Sequence, residues 1–129
     1  MQKRQTWWIV ALAAVLGALV LGPQASAKEG DILVRGTCTG ASTSKLKLSE
    51  ENGRIEVEFE VDQNRNGVRW TVVLERGNSQ LASLTRTTRP PSGSFEARRV
   101  VSNRAGADVI RARATRNGES CRARATFPN

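Results

Sequence analysis

Apolar and polar residues alternate with a period of two along most of the chain after residue 30, as in Ile55-Glu56-Val57-Glu58-Phe59-Glu60-Val61. Successive strand side chains point to opposite faces, so this alternation predicts β-strands with one face on a core and the other in water. No stretch there keeps the 3.6-residue period of a helix. The pattern predicts strands at 31–38, 44–50, 54–62, 68–76, 80–88, 94–101, 108–116 and 119–127. Asn-Gly pairs stand at Asn52-Gly53, Asn66-Gly67 and Asn117-Gly118. Both residues tolerate the positive φ of a tight hairpin turn, so each pair marks a candidate reversal. Gly77-Asn78, Pro90-Pro91-Ser92-Gly93 and the segment Ser102 to Gly106 supply further turns.

Two of these turns fix a register. A two-residue turn at Asn52-Gly53 sets Leu48 against Val57 and Leu46 against Phe59 on one face, and Lys47 against Glu58 and Lys45 against Glu60 on the other. Apolar pairs then face inward, and opposite charges face each other outward, each such pair contributing about 0.2 to 1 kcal/mol. The same construction at Asn117-Gly118 gives Ala112 opposite Ala123 and Ala114 opposite Cys121 on the inner face. Its outer face holds Arg113 opposite Arg122 and Arg111 opposite Arg124. Like charges directly opposed across a strand pair cost stability, so this arrangement asks for a reason.

The first 27 residues follow another logic. Lys3 and Arg4 precede an uncharged, largely apolar run from Trp7 to Gly22, and Pro23 and Ala25-Ser26-Ala27 follow it. That order is the charged region, apolar region and small-residue cleavage site of a secretory signal peptide, and it predicts cleavage after Ala27. The run is shorter than the roughly 20 residues that span a bilayer. The remainder, 28–129, has the size of one small domain. The whole chain carries a formal net charge of +8, with no His. Its two cysteines, Cys38 and Cys121, would be exported to an oxidising compartment and are expected to form a disulfide.

Seven or eight short strands in about 100 residues predict an all-β, antiparallel sandwich. Trp70, the alternating Ile55-Val57-Phe59-Val61 strand before it and the Cys38/Cys121 pair together resemble an immunoglobulin-like or fibronectin type III-like domain over residues 28–129. The chain is also similar in outline to small secreted proteins of Arg- and Ala-rich bacterial proteomes. It departs from antibody-type domains in having no Tyr for a tyrosine corner and in cysteines that join the first strand to the last. The resemblance implies that the strand carrying Arg69, Thr71, Val73 and Glu75 extends the sheet of the opposed arginines. Arg69, Arg111, Arg113, Arg122 and Arg124 are therefore the candidate anion-binding residues.

Other chemistries have less material. Asp62-Gln63-Asn64-Arg65-Asn66-Gly67 matches the first half of an EF-hand loop, with Asp62, Asn64 and Asn66 as candidate calcium ligands. The twelfth position is Val73 rather than a Glu, and a strand follows, so the expectation is a polar turn or an arch between sheets. Glu56, Glu58 and Glu60 form a row that Lys45 and Lys47 neutralise, without the facing walls of a glycosidase cleft. Ser42-Thr43-Ser44-Lys45 has the S-x-x-K spacing but lacks its companion elements. Absence of His removes the usual general base and, with both cysteines paired, leaves no donor set for zinc. Phe59, Trp70, Phe95 and Phe127 all fall in core phase, so stacking on nucleic-acid bases is not expected.

The expectation is a secreted, non-enzymatic interaction module without a cofactor, binding an anionic envelope polymer or an acidic protein through its arginine face. A calcium-stabilised module is one alternative. An enzyme inhibitor acting from the Arg89-Pro90-Pro91-Ser92-Gly93 loop is the other.

Overall fold

The computed structural model describes residues 27–128; the expected signal segment, apart from Ala27, lies outside the described residues. Among the described residues nine antiparallel strands make up the regular structure: β1 (Ile32–Arg35), β2 (Thr37–Cys38), β3 (Thr43–Glu51), β4 (Arg54–Asp62), β5 (Arg69–Arg76), β6 (Ser79–Thr87), β7 (Ser94–Ser102), β8 (Asp108–Arg116) and β9 (Glu119–Phe127). They form a four-stranded sheet in the order β1-β3-β4-β7 and a five-stranded sheet in the order β2-β9-β8-β5-β6. The count exceeds the expected seven or eight because the first strand is divided at Gly36. Residues before Gly36 pair with β3 in one sheet, and residues after it pair with β9 in the other.

Close packing forces this division. A Cβ at residue 36 would lie 2.6 Å from the Arg122 carbonyl oxygen and 3.3 Å from the Ala123 Cβ, so only Gly lets the chain step between the sheets here. Beside the crossing, the inner faces of β8 and β9 are small: Ala112, Ala114, Ala123 and Ala125 are buried with Cys121. Bulkier residues fill the rest of the core, including Leu46, Leu48, Val57 and Phe59 from the smaller sheet and Trp70, Val72 and Leu74 from β5. All four aromatic residues after residue 27 are in the core, as their phase predicts.

Both Asn-Gly hairpin registers occur as expected. Lys45 faces Glu60 and Lys47 faces Glu58 across β3 and β4, while Arg111 faces Arg124 and Arg113 faces Arg122 across β8 and β9. Asn52 and Asn117, like the glycines after them, adopt positive φ. Asn66-Gly67 differs. It belongs to an arch that carries the chain from β4 to β5 in the opposite sheet, and it is not a hairpin. There Asp62 Oδ1 accepts the Asn64 N–H at 3.0 Å, Gln63 Oε1 accepts the indole N–H of Trp70 at 3.2 Å, and Thr88 pins the arch to β6 by accepting from Gly67 and Val68.

Two covalent or ionic ties hold the ends of this sandwich. Cys38 and Cys121 are directly opposed on β2 and β9, with their Cα atoms 4.0 Å apart, and form the expected disulfide. At the far end Arg76 and Asp108, 7% and 2% exposed, pair at 3.0 Å. Arg76 also donates to the Ser102 carbonyl, and Asp108 Oδ2 accepts the Arg104 backbone N–H at 3.2 Å. Substituting both cysteines by Ala is expected to lower unfolding free energy by about 4 to 5 kcal/mol in the chain-entropy model of an 83-residue separation. Urea denaturation of the double variant measures that loss, and thiol titration of unfolded, unreduced protein should find none. Asp108→Ala leaves a buried guanidinium without its charge partner and is expected to cost about 3 to 5 kcal/mol by the same denaturation measurement.

A candidate anion-binding face on the larger sheet

The site follows from a short repeated pattern. Arg111-Ala112-Arg113-Ala114-Thr115 on β8 and Arg122-Ala123-Arg124-Ala125-Thr126 on β9 are the same five residues, with Ala inward and Arg outward in both strands. Antiparallel pairing around the Asn117-Gly118 turn brings the two runs side by side, so four guanidiniums rise from neighbouring positions. Residues two apart on a strand are about 6 to 7 Å apart and neighbouring strands about 4.8 Å apart, which sets the spacing of their Cα positions. All four side chains are exposed, and none has a carboxylate oxygen within 4.0 Å among the described residues.

Arg35 completes the group. The division at Gly36 leaves Thr37 paired with Arg122, and Arg35, two residues earlier at the end of β1, lines the same depression as Arg124 and Arg111. A depression of about 420 Å³ lies among Arg35, Thr37 and the four arginines of β8 and β9. Its other side is formed by β5, where Val73 faces Arg113 and Glu75 faces Arg111 in register. Thus β5 extends the arginine sheet, as the resemblance implied. Arg69, however, lies two outward positions beyond Val73 on that strand and lines a separate depression with Thr71, Thr115 and Ser120. The five-residue set is Arg35, Arg111, Arg113, Arg122 and Arg124, with Arg69 on the same face but apart.

Sequence reasoning missed Arg35 although a signal existed. Placing Cys38 directly opposite Cys121 carries Thr37 to Arg122, and alternation then carries Arg35 toward Arg124. The Arg76–Asp108 pair also went unrecognised, although both residues occupy inward phases of their strands.

Elsewhere the candidate residues serve the fold. Asp62 and Asn64 close the local turn of the arch, and Asn66 is exposed beside them. Among the described residues no group of three or more His, Cys, Asp or Glu is placed to hold a metal ion. The 89–93 loop is tied down at its base, where Arg89 N–H donates to Ser94 O and Gly93 N–H donates to Arg89 O, while Arg89, Pro90, Pro91 and Ser92 are exposed.

The outer face of the smaller sheet provides an electrostatic contrast. Lys45–Glu60 and Lys47–Glu58 are ion pairs, and Arg98 pairs with Glu56. Glu56 is buried rather than solvent-facing, correcting the expectation of an open glutamate row: Arg98 on β7 covers it from the adjacent strand. The hydrogen bond from Lys47 to Glu58, reinforced by the charge of Glu58, raises the Lys47 pKa. Glu96 faces Glu60 across β4 and β7. Although Glu96 is exposed overall, the groove walls withhold part of the water from its carboxyl. That partial burial, ahead of repulsion from Glu58 and Glu60, raises its pKa.

Comparison with protein-family models, curated proteins and solved structures finds no match to this chain, so its functional reading rests on its own chemistry.

The raised pKa of Glu96 has a definite sign. Between the ordinary carboxylate value of 4.5 and the higher folded value, the folded chain retains a proton that the unfolded chain has released. Its contribution to stability therefore falls as pH rises through that window and stays low above it. Glu96→Gln removes the fall and is expected to be more stable than the parent at pH 7, with the difference shrinking toward pH 4. Paired urea melts across that range read the difference; a pH-independent difference would count against this assignment.

Proposed function

We propose that the chain is an exported, non-enzymatic interaction module that binds an anionic envelope polymer or an acidic protein through its arginine face. One observation carries this reading: guanidiniums are directly opposed on adjacent strands without carboxylate partners among the described residues, while the other sheet pairs its charges closely. Guanidiniums keep their charge at any physiological pH and present a fork of donors that matches carboxylates and phosphates. An arrangement that costs the free protein stability becomes favourable when an anion shares the donors. Export is supported by the arrangement of residues 1–27, and the cross-strand disulfide suits an oxidising compartment.

For the fold, an immunoglobulin-like reading is supported by two antiparallel sheets, a first strand shared between them and Trp70 in the core. The β3–β4 hairpin lies within one sheet, whereas antibody-type domains place the corresponding consecutive strands in opposite sheets. Fold outline alone assigns no partner.

Retention on a heparin matrix tests the arginine face. The variant with Arg111, Arg113, Arg122 and Arg124 all changed to Ser is expected to elute at much lower salt than the parent. A control with Arg54, Arg65, Arg69 and Arg89 changed to Ser has the same net charge and should elute close to the parent. Equal losses in the two variants would reduce the effect to net charge and remove the face from consideration.

A further inference from the structure

We infer that the arginine face recognises two or more tetrahedral oxyanions, phosphoryl or sulfuryl, clustered at one point of its anionic partner, and that Arg35 is part of that site; this rests on the anion-binding reading above.

Three observations favour a compact cluster of anionic groups over charge spread evenly along a chain. The surface is concave, and a volume of about 420 Å³ falls within the roughly 300 to 1,000 Å³ of small-molecule sites. Its cations form a block, with Arg124 and Arg111 opposed in one row, Arg122 and Arg113 in the next, and Arg35 beside them from the end of β1. From strand spacing and rise, the four arginines of β8 and β9 occupy roughly 7 by 5 Å at the backbone and Arg35 widens the block, enough for two anionic groups. The block also ends abruptly. Glu75 closes the first row and Val73 the second, so a long polyanion running across the strands toward β6 would meet a carboxylate and then an apolar side chain.

Geometry also favours tetrahedral oxyanions. A carboxylate offers two coplanar oxygens and is satisfied by one guanidinium fork. A phosphoryl group offers three acceptor oxygens and carries about −1.5 to −2 charges at neutral pH, so it can take donors from several arginines that converge from different strands. Five guanidiniums against the single carboxylate of Glu75 leave an excess of four positive charges for the ligand to offset. Thr37, at the end of the second row, adds a hydroxyl within the same depression. The depression holds no exposed aromatic surface, so recognition falls on the anionic groups rather than on any attached ring.

Isothermal titration of the full chain with tripolyphosphate and with sucrose octasulfate, compared with poly-glutamate, tests the inference. Both compact oxyanions are expected to bind more tightly than poly-glutamate per charge. The tighter of the two identifies the source as phosphorylated or sulfated. Arg35→Ser should weaken binding about tenfold, a change of about 1.4 kcal/mol. Arg35→Lys keeps the charge, loses the fork and should fall between the two. Arg69→Ser, equal in net charge to Arg35→Ser, should bind like the parent. Melting temperatures of all variants without ligand verify folding, and ligand should raise that of the parent. Equal weakening by Arg35→Ser and Arg69→Ser would overturn the inference. Heparin retention that depends on the four β8 and β9 arginines, combined with no binding of either compact ligand, would overturn it while leaving the broader reading intact. Absence of both would remove the two together.

Discussion

Close approach of the two sheets beside Gly36 is the constraint on which the arginine site depends. No side chain larger than hydrogen fits where the chain steps from β1 to β2, and the neighbouring inner face of β8 and β9 is held to Ala. Strand alternation separates the two faces, so a thin core places no demand on the outer positions of the same strands. Those positions carry long cations instead. The step that requires Gly36 also delivers Arg35 to the edge of the arginine block, so a packing restriction inside the sandwich determines what can gather outside it.

The two sheets handle charge in opposite ways. On the smaller sheet Lys45, Lys47 and Arg98 neutralise Glu60, Glu58 and Glu56 in turn, which leaves little field to attract a partner. On the larger sheet charge accumulates. Self-repulsion there must be carried by the rest of the fold, and the disulfide ties β9, one of the two repelling strands, to β2 on its other side. Arg76 and Asp108 are oppositely charged and buried at the other end, where they tie β5 to the start of β8. Edge protection follows the same economy: Arg99 occupies an inward phase of the edge strand β7 yet reaches solvent, a charge that discourages another chain from pairing there.

Local signals made much of this legible in advance. Asn52-Gly53 and Asn117-Gly118 fix two registers because turn and alternation agree, and those registers include both the Lys–Glu pairs and the opposed arginines. What escaped depends on neighbours distant in sequence. The split at Gly36 arises from the Arg122 carbonyl and the side chains beside it, which no local pattern reveals. Glu56 lies in an outward phase yet is buried, and its ion-pair partner Arg98 comes from a strand beyond two intervening sheet crossings. Asn66-Gly67 has the residues of a hairpin turn, but β5 pairs with β6 and β8 rather than β4, so the same dipeptide serves a crossing. Arg69 shares the phase of the arginine face, and only its distance along β5 separates it from the block.

The duplicated Arg-Ala-Arg-Ala-Thr run has a further consequence for how the chain finds its final form. A one-residue slip of β8 against β9 would bury guanidiniums and is prohibited by their solvation. A two-residue slip is a different matter: Ala would still face Ala inside, and Arg113 would still meet an arginine, now Arg124, outside. Burial of the alanines does not distinguish the correct alignment from this near copy, which would even relieve one of the two opposed arginine pairs by setting Arg111 against Thr126. The tight turn at Asn117-Gly118 favours the observed one, and closure of Cys38 onto Cys121 separately fixes β2 against β9. The β8–β9 alignment therefore rests on its turn, while the disulfide secures the neighbouring strand that brings Thr37 beside Arg122.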